Sequence, residues 1–164
     1  MKRYGLLGYP LTHSFSKRYF AEKFEKENIN STYQNFEIDT IERFHEVLIN
    51  NPEAIGYNVT IPYKEQVIPY LNELNDSAHE IGAVNTIKVS KTEKGVFLKG
   101  FNTDTYGFEE SLKPFLKEYH KKALILGTGG ASKALKYVLA KLSIDYISAS
   151  IEELKENEIR YEDI

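Results

Sequence analysis

The stretch ALILGTGGASKALKYVLAKLSIDYIS, Ala123 to Ser148, decides the fold class. Ala123–Leu126 is a short apolar run closed by glycine, which reads as a buried strand. Ala131, Ala134, Leu135, Val138 and Leu139 then recur at helical spacing on one face. Ile144–Ser148 reads as the next strand. Strand, glycine turn, helix and strand in this order make one unit of an α/β fold. A doubly wound nucleotide domain needs two βαβαβ halves. Only one strand–turn–helix–strand follows Gly127, with a third strand beginning at Ile159–Tyr161. A chain cut short is therefore the expectation.

The same alternation runs back to the N-terminus. Tyr4–Gly8, Thr32–Ile38 and Ala54–Thr60 read as strands. Phe15, Tyr19, Phe20 and Phe24 recur at helical spacing, with Ser14 or Ser16 as N-cap. Asp39 or Thr40 caps a helix carrying Ile41, Phe44, Val47 and Leu48, and Pro52 ends it. A short helix is expected around Lys64–Leu71. Asn85–Ser90 and Val96–Lys99 flank the polar KTEKG turn as an antiparallel hairpin. A helix from near Thr103 is expected to carry Tyr106, Leu112 and Leu116, and Tyr119–Lys122 reads as a joint. The expected fold is α/β: an N-terminal mixed, mainly parallel sheet flanked by helices, followed by a partial Rossmann-type domain. The boundary falls between residues 1–101 and 102–164.

Composition removes several function classes. The chain has 164 residues, 41% hydrophobic and 27% charged, the proportions of a globular protein. A net charge of -3 gives no basic footprint for nucleic acid. With no cysteine, disulfides and thiolate metal sites are excluded. No apolar run approaches the ~20 residues of a membrane helix. The start, MKRYGLLGYP, breaks at Gly8 and Pro10, too early for a signal peptide. A cytoplasmic protein is the expectation. His45, His79 and His120 lack metal-ligand spacing, and IEELKENE reads as a solvated segment.

Four polar motifs carry the chemistry: GYPLTHSFS (Gly8–Ser16), NVTIPYK (Asn58–Lys64), GAVNT (Gly82–Thr86) and GFNTD (Gly100–Asp104). Ligands of open α/β sheets bind outside the carboxyl ends of the strands. Ser14 and Ser16 follow the first strand, and Thr60 and Lys64 follow the third. In the hairpin the start of one strand lies beside the end of the other, which brings Asn85 to Asn102 and Asp104. Two hydroxyls, an amide, an ammonium and a carboxylate on one edge suit a small polyhydroxylated acid. Taken singly, each has a plainer reading: Lys64 a surface lysine, Ser14 and Ser16 helix caps, Asn85 and Asp104 turn residues. The set in this order outweighs those readings. LGTGGASKA (Leu126–Ala134), after a strand and before a helix, reads as a nucleotide-binding turn.

These five motifs in this order resemble the shikimate dehydrogenase family, from Tyr4 to about Ser148. The resemblance implies NADP-linked, reversible reduction of 3-dehydroshikimate to shikimate, on the route to chorismate and aromatic amino acids. It implies Ser14 and Ser16 as anchors of the substrate carboxylate, and Thr60, Lys64, Asn85 and Asp104 as holders of the ring hydroxyls. Lys64 resembles the family's acid/base, with Asp104 orienting it. Gly127, Thr128, Gly129, Gly130 and Ala131 resemble the cofactor turn, and Asp76 a cofactor contact from the substrate side. Where NADP-preferring members carry a basic residue, this chain reads ISASIEEL (Ile147–Leu154), with Lys155 the nearest cation in sequence. Either Lys155 substitutes or preference shifts toward NAD. A quinate/shikimate dehydrogenase using NAD and a catalytically silent shikimate-binding fragment are the alternatives. The family's nicotinamide pocket lies beyond residue 164, so weak binding without turnover is expected of this chain alone. Its incomplete parallel sheet leads to the expectation of homodimerisation or other self-association through residues 123–164.

Overall fold

The computed structural model describes residues 1–93 and 95–164; the KTEKG turn includes Lys94, which lies outside the described residues. Strand β1 (Lys2–Gly8) leads into helix α1 (Ser16–Lys26), then β2 (Ser31–Glu37), a 3-10 turn and α2 (Phe44–Asn50). Next come β3 (Ala54–Val59), the single turn α3 (Tyr63–Gln66), β4 (Glu73–Leu74) and α4 (Asp76–Ile81). The hairpin β5 (Thr86–Thr92) and β6 (Gly95–Phe101) precedes α5 (Asp104–Leu112). The chain closes with β7 (Lys122–Leu126), α6 (Gly130–Lys141), β8 (Asp145–Ser150) and β9 (Glu158–Arg160).

The first sheet has the order β2-β1-β3-β5-β6-β4. β1 pairs parallel with β2 and β3, and β4 parallel with β6; β5 runs antiparallel to both neighbours. Reversing direction twice brings β6 back parallel to β1 and β3. The carboxyl ends of β1, β3 and β6 and the start of β5 therefore share one edge. The second sheet, β7-β8-β9, is parallel throughout. This is the mixed sheet followed by a small parallel one that the sequence implied.

Two hydrophobic groups sandwich the first sheet. Leu7, Phe44, Val47, Tyr57, Val59, Tyr63, Val67 and Ile87 lie within one. On the opposite face, Leu6, Leu11 and Tyr33 pack with Tyr4, Phe20 and Phe24. Tyr33 is 6% exposed, and its ring stacks on Phe20 at 4.5 Å. A third group joins α5 and α6 to the second sheet: Phe108, Leu112 and Leu116 pack with Ile125, Leu139 and Ile144.

Several local expectations change. Tyr106 points outward, 73% exposed, and Phe108 takes the inward place. Tyr106 is six residues from Leu112, about 120° round a helix from it, whereas Phe108 is four residues away and on the same face. Neither Ser14 nor Ser16 caps α1: the cap position is Phe15, already helical at φ -71°, with no side-chain cap bond. Phe15 and Tyr19 are exposed, so only Phe20 and Phe24 of that stripe join the core. The segment after Lys64 splits into α3 and a 3-10 turn, Ile68–Tyr70. Helix α4 is an addition; Asn75 Oδ1 caps it by accepting from the Ala78 N–H at 3.1 Å, and Gly82 at φ 67° ends it.

Burial pushes the Tyr33 and Tyr57 phenols up from the usual 10 to about 12, with Glu53 adding to the effect at Tyr57. Tyr57 Oη has no hydrogen-bond partner among the described residues. The folded state therefore holds protons that the unfolded chain releases near pH 10. This contribution to stability is complete below about pH 10 and is lost as pH rises to about 12. Urea midpoints across that window should fall. Tyr57→Phe, which removes an unpaired buried hydroxyl, should flatten the decline and raise stability by about 1 kcal/mol at neutral pH. An unchanged slope in that variant contradicts the account.

Candidate functional site

Lys64 and Asp104 meet at the shared sheet edge although 40 residues separate them in sequence. Lys64 Nζ donates to Asp104 Oδ2 at 2.6 Å, with side chains 15% and 35% exposed. Lys64 lies on α3, one turn past the end of β3. Asp104 is the first residue of α5, where the helix dipole favours a carboxylate. The backbone anchors this corner: the Val84 N–H donates to the Lys64 carbonyl at 2.7 Å, and the Asn85 N–H to the Phe101 carbonyl at 3.0 Å.

Asn85 joins the two halves. Its Nδ2 donates to Asp104 Oδ1 at 2.6 Å. Its Oδ1 accepts from the Thr103 N–H at 2.9 Å, the Thr103 hydroxyl at 3.0 Å and the Thr86 hydroxyl at 3.1 Å. A backbone N–H can only donate, so the amide orientation is forced. Asn102 holds the loop from behind: its Nδ2 donates to the Ala83 carbonyl at 3.0 Å, and its Oδ1 accepts from the Asp104 N–H at 3.2 Å. The hairpin register therefore brings Asn85 to Asn102 and Asp104, as strand direction implied.

Thr60 follows β3, and its N–H donates to the Leu7 carbonyl at 2.9 Å. A side chain at Gly8 would come within 2.5 Å of the Thr60 methyl, so only glycine lets the ends of β1 and β3 approach this closely. Ser14 Oγ is buried with no partner among the described residues. Ser16, the first residue of α1, is half-buried.

Thr60, Ile61, Pro62, Lys64 and Glu65 face Leu126, Gly127, Gly129, Gly130, Ala131 and Ser132 across a cleft of about 510 Å³. Gly127 turns at φ 110°, in the left-handed region that favours glycine. Thr128 links it to Gly129 at the start of α6. A Cβ at Gly129 would meet nothing within 4 Å, and one at Gly130 would touch the Lys64 stem. Lys133 Nζ pairs with Glu65 at 2.7 Å across the cleft. Open glycine backbone at the N-terminus of a twelve-residue helix fits a diphosphate in its donor chemistry. Asp76 does not line this cleft; it borders a separate hollow with Leu71, His79 and Glu80. Beyond β8, Arg160 pairs with Ser150 in register, and its Nη1 donates to the Glu152 carbonyl at 2.7 Å. That cation escaped the sequence reading, as did Thr86, Thr103 and Asn58. The three polar residues stand inside the quoted motifs, so their signal was present. Among the described residues no cluster of His, Asp or Glu could hold a metal ion, and no helix is long and apolar enough to cross a membrane.

The family model described as shikimate dehydrogenase substrate binding domain matches residues 6–87. The shikimate dehydrogenase (NADP(+)) of Caldanaerobacter subterraneus subsp. tengcongensis is 41% identical over 150 residues, covering 89% of this chain and 51% of that protein. Shikimate dehydrogenase 1 from Peptoclostridium difficile superposes with a TM-score of 0.83 at 36% identity, over 99% of this chain and 63% of that one. The shikimate 5-dehydrogenase of Thermus thermophilus, solved in complex with NADP(H) and shikimate, gives 0.77 at 31%, over 92% and 56%. The chain spans about half the length of the curated relatives it matches.

Asn85→Asp sets a second carboxylate against Asp104 and removes its donor. It should destabilise the fold by about 1–3 kcal/mol in urea titrations. Adding Asp104→Asn restores a donor–acceptor pair and should recover at least half of the loss; no recovery contradicts the pairing.

Proposed function

The chain belongs to the shikimate dehydrogenase family, and from that premise we propose that it provides the substrate side of an NADP-dependent reduction of 3-dehydroshikimate to shikimate, in aromatic amino acid biosynthesis in the cytoplasm. The observation that carries this reading is the Lys64–Asp104–Asn85 contact at the rim of the glycine cleft. In this reading residues 1–101 form the substrate domain and residues 102–164 part of the dinucleotide domain.

Ser14 and Ser16 hold the ligand carboxylate, and the unpaired buried hydroxyl of Ser14 supports this. An ammonium has three N–H donors; Lys64 gives one to Asp104 and has two left for ligand oxygen. Thr60 and Asn85 complete the grip on the ring hydroxyls. NADPH, bound by Gly127, Thr128, Gly129, Gly130 and Ala131, supplies a hydride to the ring ketone. Negative charge develops on the ketone oxygen as its carbon is reduced. The Lys64 ammonium stabilises that charge and delivers the proton that makes the alcohol. Asp104 keeps the ammonium aimed and accepts from a neighbouring ring hydroxyl. Arg160, close to the end of β8, favours NADP over NAD because its guanidinium suits the ribose 2′-phosphate that NAD lacks.

Shikimate titrated into this chain by calorimetry should bind saturably. Ser14→Ala, Lys64→Ala and Asp104→Ala should each weaken it by about tenfold or more. The absence of saturable heat from the wild type rejects the reading.

The outer face of the second sheet exposes Leu124, Leu126 and Ile147. Parallel sheets are ordinarily covered on both faces, which supports self-association with a second copy through this surface. Sedimentation should report a concentration-dependent dimer, and Leu126→Lys should shift it to monomer. A wild type that stays monomeric at high concentration disproves it.

A further inference from the structure

Tyr33 is not among the ligand groups assigned above, yet an unbroken run of hydrogen bonds joins its phenol to Asp104. Tyr33 Oη donates to Asn58 Oδ1 at 2.9 Å. Asn58 Nδ2 donates to Thr86 Oγ1 at 3.2 Å, and Thr86 Oγ1 to Asn85 Oδ1 at 3.1 Å. Asn85 Nδ2 donates to Asp104 Oδ1 at 2.6 Å. Every proton points toward the carboxylate.

The order is dictated by its two ends. An ionised carboxylate only accepts, so Asn85 must present its NH2 group there. The Thr103 N–H holds the Asn85 oxygen on the other side, and Thr86 spends its one proton on that oxygen. Thr86 can then only accept from Asn58, whose NH2 also faces the Asn85 carbonyl at 3.5 Å. The Asn58 oxygen is left toward Tyr33, and the group there must donate. A phenol meets that requirement and a phenyl ring does not. Bonds aligned head to tail polarise one another. A phenol keeps its proton at neutral pH, and burial here extends that range by pushing it up to about 12.

We propose that Tyr33 is a positioning residue: its phenol sets the donor order of the Asn58–Thr86–Asn85–Asp104 chain and so steadies the Lys64–Asp104 pair. Resting on the shikimate-site reading, the proposal adds a residue that touches no ligand. The Phe20 stack holds the ring in the core, and the hydroxyl alone carries the positioning.

Shikimate titrations and side-chain amide NMR spectra of the wild type, Tyr33→Phe and Phe20→Leu separate the cases. Tyr33→Phe should weaken shikimate binding by about 2- to 10-fold, the share of one neutral hydrogen bond. It should also shift the Asn85 side-chain amide resonances in the free protein. Phe20→Leu should lower Tm while shikimate affinity stays within about twofold of wild type. Tyr33→Phe with wild-type affinity and unmoved Asn85 resonances overturns the proposal and leaves the shikimate reading intact. A wild type that binds no shikimate overturns both.

Discussion

A carboxylate at a partly buried sheet edge is costly unless its oxygens are paired. At Asp104 the pairing is complete: Lys64 takes one oxygen and Asn85 the other, both at 2.6 Å. These three side chains come from three separate motifs. Satisfying one charge therefore pins the end of β3, the start of β5 and the start of α5 to one point. The first turn of α5 faces the six-stranded sheet, while Phe108 and Leu112 further along it pack with α6 and the second sheet. The same residue that gathers the polar edge thus begins the helix on which the second unit is built.

The cleft follows from this arrangement. With Lys64 held from one side, its aliphatic stem lies against Gly130, where an added Cβ would make ordinary van der Waals contact with it. Glu65 and Lys133 bridge the same opening, although an exposed pair of this kind contributes at most about 1 kcal/mol. Close approach of glycine backbone to the Lys64 stem, rather than strong attraction between the units, is what gives the cleft its character.

Much of this was legible beforehand because strand direction is a hard constraint. Once the segments Asn85–Ser90 and Val96–Lys99 are recognised as a hairpin, Asn85 is brought near Asp104 by strand direction, as the observed register has it. Helix faces and caps were less secure. Tyr106 is as apolar as Phe108 to a pattern reader, and only the spacing to Leu112 separates them. Ser14 and Ser16 look like caps, yet α1 begins with Phe15 in helical conformation and needs no serine. Helix α4 carried a readable signal in Asn75 and Gly82, but six residues are too few for periodicity to reveal. Asp76 falls in a different hollow from the glycine cleft, one it borders with Leu71, His79 and Glu80.

The sequence by itself determined the α/β class, the family and the residue types at the polar edge, because period, glycine placement and motif order are local properties of a chain. Tertiary structure alone decided that Thr86, Thr103 and Asn58 orient Asn85, that Tyr33 stands at the head of a chain ending on Asp104, and that Arg160 lies opposite Ser150. The physical reason is direction. Composition says which groups can donate or accept, but which proton points where is settled only when both ends of each hydrogen bond are held in place.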